Sequence, residues 1–164
     1  MGHDVKRFWL ILSIFLCVAA AADAVPVIVV VRHTEKASAG GNDPELSVAG
    51  QKRAEALARI LKDSRITAVF VTEFKRTQQT AAPTAKTAHL SPTVVPAGDT
   101  PALVSKLRAL NGNALVVGHG NTIPDLMKAL GIATPITIPE DDYTEIFLVS
   151  LGDPPQLFRL HYPF

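Results

Sequence analysis

Cysteine is almost missing from this chain: Cys17 is the single one in 164 residues. A disulfide framework and a thiolate metal centre are therefore excluded, and beyond the N-terminal segment so is a cysteine nucleophile. Aromatic residues make up 6% of the chain and the formal net charge is +1. That leaves neither a base-stacking platform nor a field of one sign, so nucleic-acid binding is not expected. Long apolar runs are lacking too, with one exception. Phe8 to Ala22 is apolar, short for a spanning helix, preceded by Lys6 and Arg7 and followed by the small-x-small triplet Ala22-Asp23-Ala24. This pattern predicts a signal peptide over residues 1–24, cleaved before Val25, and a mature domain over 25–164. The expected location is periplasmic or secreted, with no stable membrane insertion after cleavage. An uncleaved anchor is the alternative. Leu16 before Cys17 does not fit a lipoprotein site. A mature chain without cysteine suits an oxidising compartment.

What the chain does have is apolar mass, 48% hydrophobic residues, enough for one domain with a real core. Val27-Ile28-Val29-Val30-Val31 is a run of β-branched residues that reads as a buried strand. It stops abruptly at Arg32-His33-Thr34-Glu35-Lys36. The turn-rich stretch Ser38 to Pro44 follows, and Ser47 is placed to cap a helix with Ala54, Leu57, Ala58 and Leu61 on one stripe. Lys52, Arg53, Glu55 and Arg59 read as its solvated face. Ile66 to Val71 reads as a second buried strand, ending in Thr72-Glu73-Phe74-Lys75-Arg76-Thr77. The next helix runs from about Phe74 towards His89, with a kink or restart expected at Pro83. Thr93 to Val95 suits a short strand. Thr100-Pro101 suits an N-cap and first turn, on a helix ended by Asn111-Gly112. Ala114 to Val117 is a further buried strand, running into Gly118-His119-Gly120. The glycines are expected to let the backbone turn sharply there. Thr122 or Ile123 starts the following helix. Ile146–Val149 and Leu157–Leu160 flank Gly152-Asp153-Pro154-Pro155 and read as a hairpin. The order implies an α/β fold: a three-layer α/β/α sandwich with a mostly parallel central sheet and a C-terminal antiparallel hairpin.

In such a fold the C-terminal ends of parallel strands share one edge, where ligands bind. Three strand-to-helix junctions therefore bring Arg32 and His33, Arg76, and His119 together. Two arginines beside two histidines make a cationic pocket in a near-neutral chain. Guanidinium forks match phosphoryl oxygens, and helix N-termini add N–H donors. The ligand this pattern fits is a phosphate.

These residues resemble the motifs of the histidine phosphatase (phosphoglycerate mutase-like) superfamily. Arg32-His33-Thr34-Glu35 is similar to its Arg-His-Gly motif, with threonine where glycine is usual. Leu46-Ser47 through Gly50 is similar to its Leu-Thr/Ser-x-x-Gly helix start. Thr72 through Arg76-Thr77 and Thr80 resembles its Ser-x-x-x-Arg-Thr-x-x-Thr element, and Val117-Gly118-His119 its second histidine motif. The match spans nearly all of Val27 to Ser150, in order, and the compact version here looks most like the small bacterial branch that includes phosphohistidine phosphatases. The resemblance implies that His33 is the nucleophile, taking the phosphoryl group as phosphohistidine. It implies that Arg32, Arg76 and His119 bind the substrate's oxygens and stabilise the transition state. Water then hydrolyses the intermediate, and the implied substrate is a small phosphomonoester or phosphoramidate.

Phosphoryl transfer needs positioning and electrostatic stabilisation more than covalent help, so no cofactor or metal is expected. The proton donor to the leaving group departs from the family pattern: Gly120 stands where some members carry an aspartate. Asp99 is the tentative acid, Glu73 the alternative and Glu35 a third candidate. Without a working carboxylate, only good leaving groups would be turned over. Other readings stay open: a phosphoglycerate mutase-like phosphotransferase, a non-catalytic phosphate- or anion-binding module, or a zinc site on His33, His119 and a carboxylate, the last disfavoured by the arginines. Sequence leaves the oligomeric state and the physiological substrate undetermined.

Overall fold

A computed structural model describes residues 25–162 of the chain. The expected signal peptide, its expected cleavage point and Cys17 lie outside the described residues. Six strands form one sheet in the order β3-β2-β4-β1-β5-β6. The strands are β1 (Val27–Arg32), β2 (Ile66–Val71), β3 (Thr93–Val94), β4 (Asn113–Gly118), β5 (Glu145–Ser150) and β6 (Gln156–His161). The helices are α1 (Val48–Leu61), α2 (Lys75–Thr87), α3 (Thr100–Arg108) and α4 (Ile123–Ala129). β1, β2, β3 and β4 pair in parallel, while β5 runs antiparallel to β1 and pairs with β6 as a hairpin. The expected sandwich is thus the one observed.

The valine-rich strand explains why the sheet has two covered faces. Ile28 and Val30 pack with Leu107, Ile123 and Met127, on the α3 and α4 side. Val29 and Val31 pack with Leu57, Leu61, Ala81 and Ala85, on the α1 and α2 side. A strand buried on both faces needs no polar alternation, and full burial of each such side chain contributes about 1.5–3 kcal/mol. The same topology puts the C-terminal ends of β1, β2 and β4 on one edge.

Several local expectations are corrected. Arg53 is not on the solvated face of α1. It is buried, pairs with Glu35 at 2.7 Å and donates to the Tyr162 carbonyl, while Lys52, Glu55 and Arg59 are exposed. Charge type alone cannot show that a tertiary partner waits at the base of the helix. α2 continues through Pro83 without restarting, because Thr80, Ala81, Thr84 and Ala85 are buried on either side of the proline. Asp99 rather than Thr100 caps α3, its Oδ1 accepting the Ala102 N–H at 3.0 Å. Gly118 and Gly120 adopt no left-handed backbone. Gly118 instead ends β4 close against Ile123, and Gly120 lies beside the Arg32 guanidinium.

Gly50 is the glycine that close approach demands. A Cβ there would fall 2.2 Å from the Glu35 carbonyl oxygen, which also receives the Ser47 N–H at 2.9 Å. The loop after β1 is thereby drawn tight against the start of α1. Gly50→Ala is expected to destabilise the fold by about 1–3 kcal/mol through this overpacking, read as a lower urea midpoint at unchanged slope.

Candidate active site

Arg32 and His33 leave the end of β1, and the His33 N–H donates to the Gly118 carbonyl at 2.9 Å, extending the β1–β4 ladder into the site. Thr34, where a glycine was the more usual residue, is fully buried. Its N–H donates to Thr80 Oγ1 at 3.0 Å and its hydroxyl to the Gly50 carbonyl at 2.9 Å. The threonine thus ties the β1 loop to both α1 and α2. Thr77 makes the matching tie at β2, accepting the Thr72 N–H at 3.1 Å. The Thr77 hydroxyl also donates to the Phe74 carbonyl at 2.8 Å, fixing the first turn of α2, which carries Arg76.

His33 Nδ1 lies 2.8 Å from the Thr34 carbonyl oxygen. A carbonyl can only accept, so Nδ1 carries the proton and donates it. The lone pair is then on Nε2. Burial brings the His33 imidazole down to about 4, with the charges of His119, Arg32 and Arg76 acting in the same direction against the Thr34 hydrogen bond. His119 is likewise brought down to about 4, first by burial and then by Arg76 and Arg32, with Glu73 opposing. Both rings are neutral at pH 7. They meet edge-on with centroids 5.4 Å apart. His119 Nε2 sits 3.0 Å from Thr72 Oγ1, and the Phe74 ring meets the imidazole at 90°.

The two arginines are held differently. Arg32 Nη1 donates to the carbonyls of Pro139, Glu140 and Asp142 at 2.9, 2.7 and 3.1 Å. Its guanidinium stacks 4.3 Å from the Tyr143 ring centroid, and its Nε is buried with no hydrogen-bond partner. An orphaned guanidinium N–H costs free energy unless a ligand oxygen satisfies it. Arg76 makes only long polar contacts, 3.5 Å to the Asn42 carbonyl and 3.9 Å to Asp43 Oδ1, and lies over the Phe74 ring. Its fork is left available for an anion.

Arg32, His33, Arg76 and His119 line one open pocket of about 380 Å³, joined by Lys36, Asn121, Ile138 and Glu140. The structure therefore assembles all four residues that the sequence placed at this edge. None of the three carboxylates named from sequence lines the pocket, although the Glu73 charge reaches His119. Asp99 is exposed, caps α3 and lines a separate, apolar cavity. Glu73 is exposed and accepts the Ala97 N–H. Glu35 is engaged by Arg53. Glu140 is the one acidic residue on the pocket's lining among the described residues. Glu140, Tyr143 and the carbonyls that hold Arg32 were missed by sequence reasoning. They lie between α4 and β5, a stretch with no periodicity, and main-chain carbonyls leave no mark in a sequence. A tyrosine in a chain that has two was the available signal.

Residues 28–97 match the profile of the histidine phosphatase superfamily (branch 1). That stretch holds the first three motifs, through Arg76 and Thr80. No curated protein matches the sequence. Among solved structures, the chain is similar to the protein histidine phosphatase SixA complexed with tungstate. The identity is 23%, the TM-score 0.68, and the match covers 82% of this chain and 96% of that one. It is also similar to a mycobacterial glucosyl-3-phosphoglycerate phosphatase, at 14% identity and TM-score 0.61, over 84% of this chain and 98% of that one. At these identities the likeness is one of fold.

Proposed function

We propose, from the histidine phosphatase pattern that residues 28–97 carry and from the chemistry of the pocket, that this chain hydrolyses a small phosphorylated substrate through a phosphohistidine on His33. One observation carries the reading: His33 is a neutral imidazole whose Nδ1 proton is committed to the Thr34 carbonyl, in a pocket shared with Arg32, Arg76 and His119. Nε2 attacks phosphorus and the bond to the leaving group breaks. Arg32 Nε, Arg76 and His119 receive the charge on the phosphoryl oxygens. Water then attacks phosphorus, releasing phosphate and regenerating the imidazole. The tungstate in the SixA neighbour is a tetrahedral oxyanion of the kind this pocket suits.

The carboxylates speak to substrate class. Among the described residues Glu140 is the one acidic residue that lines the pocket, and it is exposed. Aryl phosphates, whose phenolate leaves without a proton, and phosphoramidates already protonated on the leaving nitrogen are therefore proposed over alkyl phosphates. Export of a domain beginning at Val25 to the periplasm or beyond is proposed with it. No helix among the described residues is long and apolar enough to cross a membrane.

The test is turnover of p-nitrophenyl phosphate, with the pH profile as the internal check. Protonation removes the attacking lone pair, so activity is lost as pH falls through the His33 value. The acid limb of kcat/KM is expected near pH 4, and not near 6.5 where an ordinary histidine titrates. Phosphate should go to water, leaving an added diol unphosphorylated. A transfer product would favour the mutase-like reading. No turnover at any pH from about 4 to 8 would favour a binding module.

A further inference from the structure

Away from the pocket, the β5–β6 hairpin and the loop before it gather three metal-binding side chains. Glu145 and His161 are directly opposite each other in the antiparallel ladder, so their side chains share one face. Asp142 approaches from the preceding turn, where its Oδ1 accepts the Thr144 N–H at 2.7 Å and hydroxyl at 2.8 Å. One ligand atom from each of the three lies within 4.8 Å of the other two.

Glu145 points to a ligand independently. It is 6% exposed, and although Arg159 engages Oε1, its Oε2 is buried without any hydrogen-bond partner. Arg159 offsets the charge, but a buried carboxylate oxygen that receives no hydrogen bond still costs free energy that a protein normally avoids. A bound cation removes that cost. An imidazole nitrogen with two carboxylate oxygens is a donor set for zinc or a similar transition ion, with water completing the shell.

We infer that Asp142, Glu145 and His161 form a binding site for a divalent transition-metal cation. The site is linked to the pocket through Asp142. Asp142 offers its side chain to the cation, while its main-chain carbonyl accepts from Arg32 Nη1. The cation thus braces the loop that anchors Arg32. It is a structural brace and takes no part in phosphoryl transfer.

The experiment is a titration of the full chain with Co²⁺, followed by its visible absorption, together with thermal unfolding in excess Zn²⁺. One equivalent is expected to bind saturably, and Zn²⁺ is expected to raise the Tm. His161 is exposed, so His161→Ala should fold and retain metal-free activity. It should bind Co²⁺ at least about tenfold more weakly and lose the Zn²⁺ shift in Tm. His33→Ala should keep both. No saturable binding, or binding undiminished in His161→Ala, would overturn the inference. A metal lost on His33→Ala but kept on His161→Ala would place it on the paired pocket histidines instead.

Discussion

His33→Ala is expected to stop turnover of p-nitrophenyl phosphate, lowering kcat on the order of 10⁴-fold or more. The size follows from its role: Nε2 supplies the bond to phosphorus, and the geometry offers no replacement. The other imidazole of the pocket, His119, has its Nε2 3.0 Å from Thr72 Oγ1. The fold should survive. His33 is neutral in the native state, so its removal strands no charge. What is lost is one hydrogen bond to the Thr34 carbonyl and ring contacts with His119 and Tyr143. A stability loss of about 1 kcal/mol is expected from the bond. Steady-state kinetics beside urea unfolding separates lost chemistry from lost structure. Activity within tenfold of the parent would remove His33 from the mechanism.

Arg76→Ala is expected to lower kcat/KM by about 10³-fold, because an arginine that receives transition-state charge is worth that much. Its structural ties are weak, two long polar contacts and a ring face. Its side chain is 15% exposed, so stability should fall by about 1 kcal/mol, far less than the loss of activity implies. Arg76→Lys should recover only part of the rate, since a single ammonium cannot present a planar fork. Arg32 is a less clean subject, because its Nη1 also pins the 139–142 carbonyls. An Arg76→Ala enzyme that unfolded as readily as it lost activity would make Arg76 structural.

The contrast between the arginines marks what the sequence can and cannot display. The β1 valines, the polar stop at Arg32-His33 and the hairpin are legible because burial on two faces leaves an apolar run and turns leave glycine and proline. The four central residues are legible because each follows such a run, and parallel topology sends all those ends to one edge. Arg53 was misplaced on a solvated face since its partners, Glu35 and the Tyr162 carbonyl, come from distant segments. The anchoring of Arg32 was invisible for the same reason, compounded by partners that are main-chain carbonyls. Thr34, met as a departure from a motif, turns out to be a buried link through Thr80 and Gly50, which only the packed helices reveal.

The central claim is a covalent phosphoryl group on His33, and trapping it tests that claim most directly. The full chain would be mixed with ³²P-labelled aryl phosphate, quenched in alkali and digested. A nitrogen–phosphorus bond survives base and is cleaved by acid. The account predicts label on the peptide containing His33, stable in alkali, lost in acid and absent from His33→Ala. Turnover without labelled enzyme, or an acid-stable label on another residue, would contradict it.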